Sequence, residues 1–231
     1  MAEQLIFPLA LKPAMGREDF FVSSANQIAV SMVEAWSNWP LGKLVLEGAE
    51  GAGKTHLAST WAHSVKADMV AATDLTRAQV GDFDPKPLVV EDIDRICGLS
   101  EPEVALFHVH NILQDAGVPL LLTTRTAPAR LSYNLADLQS RIEAASLVKI
   151  EALDDALLGA ILVKLLSDRQ LHVSPNVLRY AVPRLPRNFA AAQQFVEAVD
   201  NRALSTGKAI SLGIVRDVIA RDLDKSPGDD A

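Results

Sequence analysis

"KLVLEGAEGAGKTHLASTWAHSV", residues 43–65, decides the fold. Its first six residues, "KLVLEG", have the near-continuous apolar character of a strand buried on both faces, as in parallel sheets covered by helices. Its last twelve, "KTHLASTWAHSV", place apolar residues at helical spacing. Between them "GAEGAGKT", Gly48 to Thr55, satisfies G-x-x-x-x-G-K-[ST] in the strand, loop and helix setting that this motif requires. Glycines let successive backbone N–H groups turn toward a phosphate, a lysine ammonium meets its outer oxygens, and a threonine hydroxyl is placed for Mg²⁺. The expected nucleotide contacts are Gly48, Glu50, Gly51, Ala52, Gly53, Lys54 and Thr55, with His56 close enough to touch the site.

A phosphate loop of this kind needs acidic residues at the end of a neighbouring strand to hold the metal and orient water. "PLVVEDID" supplies Glu91, Asp92 and Asp94 directly after an apolar run. Thr55, Glu91 and Asp92 are therefore the expected Mg²⁺ contacts, a solvated acidic turn being the plainer alternative. Glutamate precedes aspartate here, the reverse of the usual order, and the longer arm predicts slow hydrolysis by this chain alone.

Outward from this centre, "MVAAT", "PLLLTT" and "SLVKIEAL" read as further strands. A helical pattern spans Asn26 to Trp39 and ends at Pro40, and "PEVALFHVHNILQDAG" and "LADLQSRIEA" read as further helices. Strands alternating with helices predict an α/β domain with a parallel sheet covered on both faces. After residue 151 only helical segments follow, opened by Asp, Ser or Pro. The predicted organisation is an N-terminal arm (1–16), a nucleotide-binding base (17–150), a small all-helical lid (151–223) and a polar tail (224–231) expected to be disordered.

Composition narrows the function. The chain has 231 residues, 49% hydrophobic and 22% charged, with a formal net charge of −7. That balance argues against a broad phosphate-binding face, so no direct DNA binding is expected. A single cysteine, Cys97, excludes an internal disulfide, suits a reducing cytoplasm and reads as a small apolar residue. His108 and His110, two apart on a helix, point to opposite sides and cannot share a metal. The apolar start "QLIFPLAL", residues 4–11, falls well short of the roughly 20 residues of a membrane span. It also lacks the basic flank of a secretory signal. Pro8 argues against a central strand, which leaves a strand tucked at the edge of the core or a docking peptide.

"GAGKTHL", "VVEDIDRI", "EVALFHVHNIL" and "ADLQSRIEA" together resemble the AAA+ ATPases, and within them the ATPase domain of the replication initiator DnaA and its shortened regulatory relatives. The resemblance covers residues 17 to 223 and implies an AAA+ P-loop domain with a helical lid, carrying ADP or ATP with Mg²⁺. It implies that "FFVSSANQIA" brings Val22 and Asn26 near the base. Arg141, in "DLQSRI", matches the family's arginine finger, offered to a neighbouring molecule's nucleotide. Arg187, in "LPRNF", matches the lid's sensor arginine, and Thr123 or Thr124 falls where the sheet's own sensor is expected. "QLIFPL" resembles peptides by which replication proteins bind the bacterial sliding clamp, with Gln4, Leu5, Ile6, Phe7, Pro8 and Leu9 as contacts. DnaA's basic helix-turn-helix is expected to be absent. The implied partners are DnaA and the clamp, with self-association possible. The implied role is negative regulation of replication initiation, the alternative being an ATP-hydrolysing helicase loader or transposition helper.

Overall fold

The computed structural model describes residues 22–76, 84–207 and 209–223. The arm with its Gln4–Leu9 peptide and the 224–231 tail lie outside these described residues. Strands β1 (Lys43–Gly48), β2 (Asp68–Ala71), β3 (Leu88–Glu91), β4 (Leu120–Thr124) and β5 (Ser146–Ile150) form one sheet in the order β2-β3-β4-β1-β5. Every recorded pairing is parallel, which requires crossovers over the faces of the sheet. The crossovers include α2 (Lys54–Val65), α3 (Ser100–Asp115) and α4 (Ala136–Glu143), while α1 (Gln27–Glu34), which precedes β1, packs on one face of the sheet.

Alternation along β1 sorts the two faces. Leu44 and Leu46 pack with Leu57, Ala58 and Trp61 of α2 and Ala29 and Val33 of α1. Val45 points the other way, into a core with Leu106, Val109 and Leu113 of α3 and Leu138 and Ile142 of α4. A sheet covered on both sides can afford a strand with no polar face, and Leu44, Val45 and Leu46 are all fully buried.

Two elements are shorter than their sequence pattern predicts. Helix α1 stops at Glu34, and two 3₁₀ turns, Trp36–Asn38 and Pro40–Gly42, carry the chain into β1. Pro40 pushes Trp39 into extended geometry (φ −63°, ψ 125°), and the buried Trp39 indole donates to the Met32 carbonyl at 2.7 Å. Its ring also packs against Trp61, with centroids 5.1 Å apart. The "MVAAT" run begins as β2 but ends in a 3₁₀ turn, Ala72–Asp74, whose Ala72 enters the core.

Beyond β5 come α5 (Asp155–Asp168), α6 (Pro175–Ala181), α7 (Phe189–Thr206) and α8 (Leu212–Leu223), which share a separate, third core that includes Leu158, Leu162, Val177, Phe195, Val196 and Val215. Their ends carry the expected chemistry. Asp154 accepts from the Leu157 N–H at 2.7 Å, Asn188 accepts from the Ala191 N–H at 2.8 Å, and Gly207 closes α7 with a left-handed φ of 63°. Among the described residues no helix is long and apolar enough to cross a membrane.

Packing of this kind makes a clear stability contrast. Leu122→Ala, in the middle of the sheet, should lose about 2–5 kcal/mol in urea denaturation. Leu147→Ala, on the half-exposed side of edge strand β5, should change stability by less than about 0.5 kcal/mol. Equal losses at the two positions would contradict the layer assignment.

Candidate functional site

The phosphate loop leaves β1 at its carboxyl end, where parallel sheets bind ligands. Gly51 (φ 75°) and Gly53 (φ 98°) occupy the left-handed region, which a side chain would strain. Helix α2 then starts at Lys54, so the amides of its first turn have no partner within the helix. Lys54 is 7% exposed, and its Nζ donates to the carbonyls of Gly48 (2.8 Å) and Ala49 (3.1 Å). Burial lowers its pKa, while the carboxylates of Asp92, Asp94 and Glu50 oppose that shift. The ammonium is therefore buried among carbonyls and faced by acids, while the Thr55 side chain is exposed beside it.

Two strands away, Asp92 follows β3 in a left-handed conformation (φ 55°), which aspartate tolerates better than most residues. Thr123 Oγ1 accepts its backbone N–H at 3.0 Å, tying the acidic turn to the end of β4. The Asp92 carboxylate pairs with Arg95 at 3.2 Å. Asp94 takes both the backbone N–H of Arg125 (3.1 Å) and its Nε (2.9 Å). Burial would raise the Asp94 pKa, and these Arg125 donors outweigh it and hold the carboxyl below its usual value. Arg125 also reaches Glu50 of the loop at 3.8 Å. Among the described residues no three His, Cys, Asp or Glu side chains converge into a metal cage. Glu91 and Asp92 lie at the end of β3, and Thr55 in the first turn of α2.

The lid meets the loop directly. A Cβ at Gly51 would lie 2.7 Å from the Asn188 side chain, so glycine is needed for this close approach. Ala190 N–H donates to the Gly51 carbonyl at 3.4 Å, and Leu153 N–H donates to the Arg187 carbonyl at 3.1 Å. Asn26, Ala52, Gly53 and His56 from the base and Leu153 and Phe189 from the lid side line one cleft beside the loop. Val22 does not join them: it is 55% exposed and borders a separate cavity of about 600 Å³ between α1 and α2. Arg187 is also turned aside, paired with Asp155 at 3.0 Å. Asn188 and Arg125 are contacts that the motif reading missed. Asn188 carried a signal, as a capping residue ahead of a helical run. Arg125 carried only its place at a strand end.

Arg141 sits at the opposite end of the sheet. Strand β5 begins at Ser146, paired with Leu44 near the start of β1, and Arg141 precedes it on α4. The length of β1 alone, about 16 Å, separates that end from the phosphate loop. The Arg141 guanidinium lies 5.3 Å from the Phe107 ring centroid, and among the described residues no carboxylate is recorded within ion-pair distance of it. Nearby, buried Lys43 donates to Gln114 Oε1 at 2.6 Å, and burial aided by Arg141 lowers its pKa to about 8. His110 is buried and His108 exposed, on opposite sides of α3 as their spacing predicts. Burial, aided by Lys43, lowers the His110 pKa to about 4. Burial raises the Cys97 thiol, consistent with an unreactive residue.

The strand order, the phosphate loop and the helical segment docked on it define an AAA+ fold. The particular relatives are DnaA proteins. Domain III of the Thermotoga maritima replication initiation protein DnaA superposes with a TM-score of 0.78 at 21% identity, covering 93% of this chain and 98% of that one. The replication initiator DnaA bound to AMPPCP and single-stranded DNA gives 0.72 at 22% identity over 85% of this chain and 68% of that one. In sequence, the chain is 26% identical to the chromosomal replication initiator protein DnaA of Bacteroides thetaiotaomicron over 90% of its length and 50% of the relative's. It thus spans about half the length of that DnaA. An uncharacterized protein of Haemophilus influenzae is 23% identical over 95% of this chain and 99% of its own. No family model matches. The chain is DnaA-like in sequence and AAA+ in fold.

Two measurements test this geometry. Calorimetry with Mg·ADP should show Lys54→Ala weakening binding by about 10–100-fold, as for loss of charge-assisted hydrogen bonds, with Lys149→Ala unchanged. Acid stability should depend on His110. An unfolded imidazole protonates near pH 6.5 but the folded one only near 4, so the unfolded chain binds the extra proton in between. Stability should therefore fall as pH drops from about 6.5 toward 4, and His110→Phe should flatten that fall in urea midpoints measured across the window.

Proposed function

We propose that the chain is a clamp-tethered negative regulator of chromosomal replication initiation, a counterpart of Hda, which stimulates ATP hydrolysis by DnaA through Arg141. The observation that carries this reading is the position of Arg141, remote from the chain's own phosphate loop and beside an aromatic ring, with no carboxylate partner among the described residues. A cation so placed is available to another molecule's nucleotide. The DnaA-like sequence supports DnaA as that molecule, and the net charge of −7 favours a protein partner over DNA.

In this reading the loop amides from Gly51 to Thr55 and the Lys54 ammonium hold the chain's own nucleotide, expected to be ADP. Bound nucleotide supplies phosphate charge and oxygen ligands for Mg²⁺, which Thr55, Asp92 and Glu91 would share. The lid closes on the same loop through Asn188 and Ala190, so loop and lid are set together. Arg141, permanently protonated, is then presented to ATP on DnaA, where it stabilises charge on the phosphoryl group as water attacks. Hydrolysis occurs in the partner's site. Gln4, Leu5, Ile6, Phe7, Pro8 and Leu9 form the tether, Gln4 meeting polar groups at a pocket edge and the apolar residues filling a cleft of the sliding clamp. Tethering raises the local concentration of Arg141 where replication has occurred. Head-to-tail self-association would use the same Arg141 surface.

The test is hydrolysis of DnaA-bound ATP with clamp present. Arg141→Ala should abolish the stimulation while leaving ADP affinity unchanged, and full stimulation by this variant would contradict the mechanism. A Gln4→Ala, Leu5→Ala, Phe7→Ala variant should lose clamp binding by calorimetry. It should stimulate DnaA only at much higher concentration.

A further inference from the structure

Helix α3 reaches two separate features from successive turns. Glu103, only 1% exposed, accepts the backbone N–H groups of Gly98 (2.7 Å), Asn134 (3.1 Å) and Leu135 (2.9 Å). Gly98 closes the acidic turn that begins at Asp92, and Leu135 is the residue from which α4 starts. The same two segments are joined again by Asn134 Nδ2 donating to the Gly98 carbonyl (3.1 Å) and by Tyr133 Oη donating to the Ile93 carbonyl (2.9 Å). Four residues beyond Glu103, and so on the same face of α3, Phe107 lies beside the Arg141 guanidinium at cation–π distance. Lys43, whose pKa the Arg141 charge helps to depress, repels that guanidinium.

We propose that Glu103 and Phe107 are positioning residues for Arg141. Glu103 anchors the start of α4 to the turn carrying Asp92 and Asp94, and Phe107 holds the guanidinium at the other end of α4, so that a rearrangement of the acidic turn is transmitted to Arg141. The inference rests on the trans-acting role of Arg141 proposed above.

The experiment pairs DnaA-bound ATP hydrolysis with proton NMR of the full chain. Phe107→Leu keeps apolar volume and removes the π face. It should lower maximal stimulation by about 3–30-fold, the range of one cation–π contact, with the half-saturating concentration unchanged. Phe107→Tyr should restore it. Glu103→Gln should lower the maximum in the same way, speed hydrogen exchange at Gly98, Asn134 and Leu135, and move the Arg141 side-chain resonances out of the Phe107 ring current. Wild-type stimulation by Phe107→Leu alongside an inactive Arg141→Ala would overturn the positioning role alone. So would unmoved Arg141 resonances in Glu103→Gln. Full stimulation by Arg141→Ala would overturn the parent reading and this one with it.

Discussion

The burial of β1 between β4 and β5, with helices on both faces, is the constraint on which the rest depends. Its backbone is paired along both edges and its side chains alternate between two cores. A slip of one residue would exchange Leu44 and Leu46 with Val45 and misfit both cores at once. With register held so firmly, the chain must turn as soon as it clears the sheet at Gly48. The turn that follows has to be glycine-rich, because Gly51 and Gly53 adopt left-handed φ and Gly51 lies against Asn188. The lysine after it is driven inward onto carbonyls of the same loop.

The two ends of the sheet are chemically distinct. At the carboxyl end, amides, Lys54 and the acids of the β3 turn converge, and Arg125 links Asp94 to the loop through Glu50. At the amino end Lys43, His110 and Arg141 gather with no acidic partner recorded among the described residues. Burial first, and then the neighbouring positive charges, lower the pKa values of Lys43 and His110. Helix α3 runs beside both, with Glu103 tied to the acidic turn and Phe107 beside Arg141. One sheet can therefore hold its own ligand at one end and present a cation at the other, since rigid strands fix their separation.

The likeness to DnaA bears on this division. The chain shares with the Bacteroides thetaiotaomicron DnaA a stretch covering half of that relative, and that stretch contains the nucleotide fold and not the whole initiator. The proposed role gives the arginine at the far end of such a fold a partner molecule, because it lies remote from the chain's own phosphate loop.

Much of the fold was legible beforehand because it is written in local patterns. Continuous apolar runs, a glycine-lysine loop and helical spacing named all five strands, the sheet class and the helices that follow, without any knowledge of contacts. The element ends were less legible: Trp39 and Ala72 have apolar side chains that suit a helix, a strand or a turn, and Pro40 beside Trp39 and the distant core residues around Ala72 decided which. Lys54, Thr55 and Asp92 could be named from spacing, since phosphate chemistry constrains residues close together in the chain. Asn188 against Gly51, Arg125 on Asp94, Glu103 bridging two loops and Phe107 beside Arg141 join residues 5 to 137 positions apart. Val22, expected beside the base, faces another cavity because the backbone turns between it and Asn26. The sequence by itself determined the layered α/β architecture and the identity of the phosphate loop, because those follow from periodicity and short-range steric rules. Only the tertiary structure decided which side chains face that loop and which end of the sheet displays Arg141, because such pairings are set by long-range packing.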